Sequence, residues 1–356
     1  MAEGGLINMG LTCYANSVLQ ALRHCKKIPW IFEEGRYNTL FYKESEGSPP
    51  IKAIRAKQES LTASFANVVQ LLQKCKRGQN VRPADLWLKF AQCVDDTGFE
   101  HLRIKMSHDS HEFFLCLLDI LHESLAQETD MRIIRAPPVT PVDMHCIQAL
   151  EVWRKQFNKQ YSPLVDLFYG LQHIIVTCTN CKNQSHRWET FTSLKASIHP
   201  SNEPQNIFDL LKEEWKPETI SDYACDKCAP ARQTAIQTIS IWRLPYYLTF
   251  VIKRFTQNGM KIGTPVAPLP KQGEEPVSFE TFFSEESPEK VEGQTYRLHS
   301  IVDHHGGASG GHYTAQCRSL EGDRKNWRVF DDQNVHDIPS AMFGSSTYMM
   351  WFERTF

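Results

Sequence analysis

A cysteine at the start of an apolar-periodic run is the first candidate for chemistry. The stretch around Cys13 reads GLTCYANS, and the apolar residues Val18, Leu19, Ala21 and Leu22 follow it. This spacing predicts a helix over 14–24. At a helix start, free backbone N–H groups and the helix dipole favour thiolate over thiol, and the thiolate is the nucleophile. A small buried apolar cysteine is the competing interpretation.

A glycine-rich loop precedes a histidine about three hundred residues later. The segment 306–311 reads GGASGG, and His312 begins the alternating run HYTAQC. Glycines allow unusual backbone angles and close approach to another chain, although they also form ordinary hairpin turns. His304 and His305 are rivals for the role of general base. We favour His312 because the strand that follows would hold it rigidly.

Two acids end a predicted strand near the C-terminus, in the run WRVFDDQNV. A carboxylate that accepts a hydrogen bond from the far nitrogen of an imidazole fixes its tautomer and stabilises the imidazolium. Asp331 and Asp332 could therefore orient His312, or both could be solvated turn acids. Cysteine, histidine and aspartate in this chain order form the set of groups that a cysteine hydrolase requires.

Two CxxC pairs form the other chemical constellation: Cys178 with Cys181, and Cys225 with Cys228. Each pair lets two thiolates from one tight turn meet the same ion, and two such turns complete the tetrahedral four-thiolate site that zinc favours. Because protein ligands fill all four positions, we expect a structural zinc ion and not a catalytic one. A zinc ribbon that binds nucleic acid is disfavoured, because the nearby lysines and arginines form no recognisable basic face.

Composition narrows the class of protein. A chain of 356 residues with 41% hydrophobic and 22% charged residues is typical of a folded soluble protein, and the length indicates one large domain with subdomains or two domains. The net charge of −2 gives no reason to expect nucleic-acid or membrane-surface binding. We find no membrane span and no signal segment. The 11 cysteines, most of them scattered singly, indicate thiols and metal ligands, and so a reducing compartment: the cytoplasm, the nucleus or both.

Hydrophobic periodicity predicts a helical first third and a β-rich remainder. Helices are expected over 14–24, 60–75, 83–93, 110–125 and, as a short one, 147–158. Prolines 137, 138 and 141 are assigned to a connection. Strands are expected over 171–178, 185–191, 235–241, 247–255, 296–303, 312–317, 327–330 and 348–352. The segment 256–295 is expected to be a mobile polar loop with a few strand residues around Val266.

With these motifs in place, the chain resembles the ubiquitin-specific proteases, the papain-like deubiquitinating cysteine proteases. Six segments match in order: GLINMGLTCYANSVLQAL, SHDSHEFFLCLLDIL, the two CxxC pairs, LPYYLTFVIKRF, YRLHSIVDHHGGASGGHYTAQCR and WRVFDDQNV. The resemblance implies an α+β, hand-like fold in which 1–356 is a single catalytic domain. It implies an α-helical thumb over about 5–130, zinc-braced β fingers over about 165–250, and a β palm built largely from 250–356.

The resemblance also implies a role for each site residue. Cys13 would be the nucleophile, His312 the general base and acid, and Asp331 the residue that orients His312, with Asp332 as runner-up. Asn8 would donate its side-chain amide to the oxyanion, although a turn-forming role suits the same position.

Substrate contacts are implied less specifically. The pair Asp109 and Glu112 has the spacing of a helix cap, and the resemblance adds that Asp109 contacts the C-terminal tail of ubiquitin. The glycine loop, with Gly310 and Gly311, resembles a family loop that lies over the same tail. The chain departs from the family at Leu11, where asparagine is common, and just before Asp109, where Ser107-His108 stand in place of glutamine. These departures leave substrate choice open.

Three hypotheses follow from the sequence. The first is a thiol isopeptidase that removes ubiquitin from conjugated proteins, with ubiquitin or ubiquitinated proteins as partners. The second is an isopeptidase of the same fold for a ubiquitin-like modifier. The third is a non-catalytic ubiquitin-binding pseudoprotease, which the intact Cys, His and Asp positions disfavour. The resemblance leaves open whether a protein partner must align the triad, and no nucleic acid or membrane partner is expected.

Overall fold

The chain combines helices with one large and one smaller sheet, both mainly antiparallel. The computed structural model describes residues 4–39, 49–76, 78–95, 97–103, 106–134, 137–290, 293–307, 310–319 and 326–355. Its helices are α1 (Cys13–His24), α2 (Lys27–Phe32), α3 (Pro49–Lys74), α4 (Ala84–Cys93), α5 (Ser110–Leu125), α6 (Pro141–Phe157), α7 (Pro163–Phe168) and α8 (Ile207–Glu214). Among the described residues, no helix is long and apolar enough to cross a membrane.

The strands of the described residues form three sheets. They are β1 (Gly5–Leu6), β2 (Asn80–Val81), β3 (Gly170–Cys178), β4 (Gln184–Phe191), β5 (Ser193–Ser197), β6 (Glu218–Tyr223), β7 (Gln233–Arg243), β8 (Tyr247–Lys253), β9 (Thr295–Gly307), β10 (Gly310–Arg318), β11 (Trp327–Asp331), β12 (Asn334–Ile338) and β13 (Thr347–Thr355). The large sheet has the order β12-β11-β10-β9-β13-β8-β5, a four-stranded sheet has the order β4-β3-β7-β6, and β1 pairs with β2. The predicted α+β class is confirmed.

The core joins the helical part to the large sheet. A continuous apolar cluster contains residues of α1, α3, α4 and α5 together with Val302, Tyr313 and Trp351 of β9, β10 and β13. Helix α1 packs directly on β10. Burying apolar side chains on both surfaces makes the helix and the strand one rigid unit. This packing fixes the N-terminus of α1 against the start of β10.

Several predicted boundaries need correction. The helix expected over 60–75 begins at Pro49, because its first turns carry polar and exposed residues that hide the period. The helix expected over 147–158 begins at Pro141, which was assigned to a connection. Thr140 and Asp143 form a capping box there, and proline suits the first helical turn. Helices α2, α7 and α8 and strands β5, β6 and β12 were not predicted, since each is short.

The segment 256–295 is irregular, as predicted, but it is packed. Val266 makes an isolated bridge with Gln205 and lies in no strand. Short 3₁₀ turns occur at Pro270–Gly273 and Glu280–Phe282. Val277, Phe279 and Phe282 are buried in the second apolar cluster, on the face of the large sheet that carries α8. The expectation of a mobile loop was therefore wrong for this apolar part, which covers the sheet.

Candidate active site

Cys13 is the first residue of α1, as the sequence predicts. Its side chain is buried, and α1 holds it against the start of β10, where the Tyr313 backbone hydrogen-bonds to the thiol. Backbone groups of Cys13 itself and of Tyr14 also hydrogen-bond to the thiol. The helix start and the strand thus meet around one sulfur atom.

The expected preference for the thiolate is wrong in this resting geometry. Burial raises the pKa of the Cys13 thiol above its ordinary value, and the negative charge of Asp332 raises it further. The backbone hydrogen bonds lower the pKa but do not outweigh burial. The physical reason is that helix-start N–H groups act locally, whereas removal from water penalises the whole charge. Cys13 therefore rests as a thiol and needs a base to remove its proton.

His312 and Asp331 supply a base and its orienting acid. His312 lies on β10 and Asp331 is the last residue of β11, which pairs with β10. His312 Nε2 lies 2.6 Å from Asp331 Oδ1, the length of a short charge-assisted hydrogen bond. That bond leaves Nδ1 as the ring nitrogen free to serve a nucleophile. Both side chains are partly exposed, at 43% and 42%.

Asp332 has a different set of partners. It occupies the two-residue turn between β11 and β12 with a left-handed φ of 51°. Its Oδ1 accepts a bond from Asn16 Nδ2 at 2.7 Å, and its Oδ2 accepts one from Asn8 Nδ2 at 2.8 Å. Its backbone oxygen accepts from the N–H of Leu6 at 2.9 Å. Asp332 thus ties the N-terminal segment and α1 to the hairpin, while Asp331 contacts His312.

Asn8 is held in a defined position beside this clamp. Its Oδ1 accepts bonds from the N–H groups of Gly10 at 2.9 Å and Thr12 at 3.1 Å, so the residue does form the turn before the helix. Its Nδ2 carries two N–H groups, and the bond to Asp332 uses one. The second N–H remains for an oxyanion, so the turn role and the predicted oxyanion role are compatible.

Asn16 is a site residue that the motif reasoning did not single out. It lies on α1 one turn after Cys13, is only 2% exposed, and reaches Asp332. A polar side chain within the apolar-periodic run of α1 was the available signal. Its Oδ1 is buried without a hydrogen-bond partner among the described residues, which indicates that the amide is retained for its bond to Asp332.

The two histidines that rival His312, and a second cysteine–histidine contact, lie in positions that suit a structural role. His304 is buried and packs against Tyr313, with ring centroids 4.5 Å apart and the ring planes tilted by 38°, and burial lowers its pKa to about 4. His305 faces His312 across the β9–β10 ladder. Cys25 Sγ lies 3.6 Å from His299 Nε2, but His299 is 2% exposed. The base beside Cys25 among the described residues is thus a buried one, in contrast to the half-exposed His312 on the strand beside Cys13.

A groove of about 500 Å³ runs beside the start of β10. Its walls include three residues implied in substrate binding: Asp109, Gly310 and Gly311. Ala308 and Ser309 of the glycine loop lie outside the described residues. Gly311 is tightly packed, since a Cβ there would lie 2.3 Å from His304 Nε2, whereas a Cβ on Gly310 would meet nothing within 4 Å. Gly311 is therefore needed by the fold, and Gly310 leaves open space in the groove.

Asp109 caps α5, as its spacing predicts. Its Oδ1 accepts bonds from the backbone N–H groups of His111 at 2.8 Å and Glu112 at 3.0 Å. Its Oδ2 accepts a bond from the Tyr348 hydroxyl at 2.6 Å. Burial raises the pKa of Asp109 despite these bonds. Oδ1 accepts two bonds and Oδ2 only one, so Oδ2 keeps a lone-pair site with which the carboxylate can face a cationic group in the groove.

The four cysteines of the CxxC pairs come together at the tip of the smaller sheet. Their sulfur atoms all lie within 4.8 Å of one another, with Cys181 and Cys225 3.5 Å apart and Cys178 and Cys228 4.0 Å apart. Sulfur ligands of a tetrahedral zinc ion are about 3.8 Å apart, given a Zn–S distance of about 2.3 Å. These residues can therefore hold a metal ion. All eleven cysteines of the chain are free of disulfides.

Leu11 carries a backbone strain that yields a stability prediction. It has a φ of 56°, a left-handed conformation that asparagine tolerates better than leucine, and its side chain is 54% exposed. We expect Leu11→Asn to raise the free energy of unfolding by about 1 kcal/mol, measured by chemical or thermal denaturation. Leu11→Ala removes the same exposed side chain but keeps the strain, so it should bring no such gain. Equal stability of the two variants would contradict this account.

Comparison with known proteins finds one family model and relatives that carry the same family name. The family model described as ubiquitin carboxyl-terminal hydrolase matches residues 4–352. The chain is 26% identical over 362 residues to ubiquitin carboxyl-terminal hydrolase 2 of Bos taurus, covering 98% of this chain and 54% of that protein. It is 27% identical over 374 residues to ubiquitin carboxyl-terminal hydrolase 5 of Saccharomyces cerevisiae, covering 99% and 45%. The chain thus spans about half the length of the curated relatives it matches.

Solved structures agree on the fold. A chain of the SAGA Ubp8/Sgf11/Sus1/Sgf73 DUB module bound to ubiquitin aldehyde superimposes with a TM-score of 0.70. The match has 22% identity and covers 99% of this chain and 70% of that chain. The related module bound to monoubiquitin gives a TM-score of 0.69 at 21% identity, with 99% and 69% coverage. At this identity the likeness establishes the fold.

Proposed function

This chain belongs to the ubiquitin carboxyl-terminal hydrolase family, and we propose that it is a thiol-dependent deubiquitinase that hydrolyses the isopeptide bond after the C-terminal glycine of ubiquitin. The observation that carries the proposal is a buried thiol at a helix start, packed against the strand of a half-exposed His312 that Asp331 orients. Family membership supports the activity, and the geometry supports the assignment of residues.

The reaction begins with proton transfer from Cys13 to Nδ1 of His312. The sulfur attacks the carbonyl carbon of the last glycine, and a tetrahedral oxyanion forms. His312 then gives the proton to the departing lysine amine, leaving a thioester on Cys13. Water, deprotonated by the same imidazole, hydrolyses the thioester and regenerates the thiol. Asp331, which accepts the bond from Nε2, would leave Nδ1 for the sulfur and would stabilise the imidazolium.

The oxyanion is proposed to bind at Asn8. The second N–H of its amide, together with backbone N–H groups at the start of α1, can donate to the negative oxygen. The bonds from Gly10 and Thr12 to Asn8 Oδ1 hold the amide in place before substrate arrives. Preorganised donors of this kind lower the barrier without reorganisation during the reaction, and each contributes about 10²–10³ in rate.

The groove beside β10 is proposed to hold the C-terminal tail of ubiquitin. Asp109 and Glu112 place two carboxyl groups along it, which suits the arginines that precede the terminal Gly-Gly. Gly310 and Gly311 also line the groove, and their lack of side chains suits a narrow passage for the glycines of the tail. Substrates with larger side chains at these positions should be excluded sterically.

Gly310→Ala tests this assignment. The new methyl group occupies open space in the free protein, so thermal stability should not change. With the tail bound, the methyl should clash at a cost of about 1–3 kcal/mol, so we expect kcat/KM to fall about 5- to 150-fold. Gly263→Ala is the matched control, because a Cβ there also meets nothing and Gly263 lies outside this groove. Equal kinetics of both variants would show that the tail does not pass Gly310.

We also propose the division of the chain. The thumb would comprise about 5–130, the fingers about 165–250, and the palm largely 250–356, with residues 1–356 forming one catalytic domain. The four-cysteine cluster would hold a structural Zn²⁺ that braces the end of the fingers. Its donor set supports zinc, because four thiolates at tetrahedral spacing suit that ion.

Loss of this ion should weaken modifier binding without removing the nucleophile. In Cys225→Ser we expect the thiolate-bound zinc to be lost, KM to rise about 10-fold or more, and kcat to change far less. Metal content and steady-state kinetics under reducing conditions measure both effects. Cys75→Ser, which changes a thiol outside the cluster, should keep the zinc and the kinetics. A fall confined to kcat would contradict a structural role.

The proposed activity also implies the substrates of this chain and where it acts. We propose ubiquitin and ubiquitinated proteins as substrates in the cytoplasm, the nucleus or both. The solved relatives are complexes with Sgf11, Sus1 and Sgf73, which supports testing whether this chain, too, needs a protein partner.

The function is tested with matched substrates that carry one reporter on ubiquitin or on ubiquitin-like modifiers that end in Gly-Gly. We expect wild-type kcat/KM to be highest for ubiquitin, and Cys13→Ala to release no reporter from any substrate. Higher kcat/KM for a ubiquitin-like modifier would reassign the substrate within the same mechanism. Ubiquitin binding with no reporter release by the wild type would instead support the pseudoprotease alternative.

A further inference from the structure

A second group of side chains that could bind a metal lies beside the smaller sheet and is separate from the four cysteines of the CxxC pairs. It contains His145 on α6, His186 on β4 and Glu286 in the turn 284–287, and one nitrogen or oxygen of each lies within 4.8 Å of the others. We propose that these three residues bind a Zn²⁺ ion. The three come from separate elements with no short spacing between them, so no sequence motif reveals the site.

The donor atoms suit zinc in kind and number. Two imidazoles and one carboxylate form a three-ligand set that leaves a fourth position for water. His145 Nδ1 and Glu286 Oε2 lie 2.8 Å apart, joined by a hydrogen bond. At Zn–N and Zn–O distances of about 2.0–2.2 Å, tetrahedral ligand atoms are about 3.4 Å apart. A small separation of this pair, with loss of the shared proton, would therefore make room for the ion.

His186 is oriented from behind, as a metal ligand usually is. Its Nδ1 lies 2.9 Å from Nε2 of His173, and Nδ1 of His173 lies 3.0 Å from the Ser284 hydroxyl. This chain of hydrogen bonds leaves Nε2 of His186 for the ion. A ring nitrogen held by an outer partner fixes the tautomer and orientation of the ligating imidazole.

The surroundings make this outer partner rigid. His173 is fully buried and lies parallel to Trp188, with ring centroids 4.7 Å apart and an angle of 3°. Trp242 packs edge-on against the same histidine at 5.1 Å. The rings of His145 and His186 stack with centroids 3.8 Å apart and an angle of 25°, so the two imidazoles are adjacent, and one ring would turn for both in-plane lone pairs to meet one ion.

Solvent can reach the ligands that face outward. The side chains of His145 and Glu286 are 17% and 30% exposed, so an ion can enter from solvent and keep a water molecule. Once bound, the ion would join α6, strand β4 and the turn 284–287. It would therefore fasten α6 and this turn to the smaller sheet at His186, which pairs with Ile175, three residues before Cys178. A plain His145–Glu286 ion pair, with no metal, is the alternative that the test must separate.

Cobalt(II) distinguishes the two proposed sites. A cobalt ion on thiolates gives strong sulfur-to-metal charge-transfer absorption, whereas one on nitrogen and oxygen ligands gives only the weaker d–d bands. The full chain is stripped of metal under reducing conditions and titrated with Co²⁺, and bound metal is counted by equilibrium dialysis. We expect the wild type to bind one equivalent more than His186→Ala, and that equivalent to lack charge-transfer absorption.

Two further variants test a proposed ligand and provide a control. Glu286→Gln keeps a hydrogen bond to His145 but loses the carboxylate, so the dissociation constant of this equivalent should rise about 10-fold or more. His199→Ala removes an exposed histidine outside the cluster and should bind as the wild type does. Circular dichroism spectra that match those of the wild type establish that the variants are folded.

The same count for His186→Ala and the wild type would overturn the proposal, as would Glu286→Gln with unchanged affinity. Because the site is counted as a difference between folded variants, the result does not depend on whether the four cysteines bind metal. It is also independent of deubiquitinase activity.

Discussion

His312→Ala is expected to lower kcat/KM for ubiquitin substrates by about 10⁴–10⁶-fold. The reason is the state of the nucleophile. Burial and the charge of Asp332 keep Cys13 protonated at rest, so the thiol has no route to a thiolate except through a base. Without the imidazole, neither the first proton transfer nor protonation of the leaving amine can occur. Single-turnover measurements of thioester formation would show that the loss lies in the chemical step.

His305→Ala is the matched control for that variant. His305 faces His312 in the β9–β10 ladder and is exposed, so both substitutions remove an accessible histidine from the same hairpin. We expect His305→Ala to stay within about threefold of the wild type, as is usual for surface positions away from the reacting atoms. A large loss in His305→Ala with activity retained in His312→Ala would reverse the assignment of the base.

Asp331→Ala is expected to lower kcat by about 10³-fold with little change in stability. Asp331 accepts the bond from His312 Nε2, and both side chains are partly exposed, so its removal should disturb the orientation of the imidazole more than the fold. Steady-state kinetics and a melting curve measure the two effects separately.

Asp332→Ala, in contrast, should lower stability clearly and kcat much less. This residue accepts two side-chain bonds and one backbone bond that tie the N-terminal segment and α1 to the β11–β12 turn. Hydrogen bonds to a charged group contribute about 1.5–3 kcal/mol each, so the melting temperature should fall clearly. Removal of its charge should also lower the pKa of Cys13. A 10³-fold loss of kcat in Asp332→Ala, with Asp331→Ala active, would exchange the roles of the two acids.

The sequence predicted the chemical groups well because each lies at an element boundary with a local signal. Cys13 begins a helix whose apolar period is clear, and Asp109 caps α5 as its spacing indicates. Each CxxC pair lies in a tight turn near a strand end, and the two turns bring the four sulfur atoms together. These features depend on a few neighbouring residues, so they can be predicted without the tertiary fold.

Other features depend on the tertiary fold and escaped prediction. The resting protonation of Cys13 depends on how deeply α1 is buried against β10, which no local pattern records. The different tasks of the adjacent acids Asp331 and Asp332 arise from a left-handed turn residue that sends their carboxylates to different partners. The role of Asn16 depends on a contact 316 positions away in the chain. Each is a consequence of packing between distant segments.

The cluster of His145, His186 and Glu286 also depends on the tertiary fold. These residues meet because α6 packs on the smaller sheet through Trp153 and Trp188, together with Phe157. The helix predicted over 147–158 begins at Pro141, so His145 was not expected on a helix. Even with that boundary correct, three residues from separate elements give no sequence motif.

The central claim is that Cys13 is a nucleophile aimed at the C-terminus of ubiquitin. Its most direct test is intact mass measurement after incubation with ubiquitin that carries a thiol-reactive C-terminal electrophile. We predict a single adduct on the wild type, none on Cys13→Ala, and an unchanged adduct on Cys25→Ala, whose thiol is fully buried beside His299. An adduct that persists in Cys13→Ala, or that is lost only in Cys25→Ala, would contradict the account.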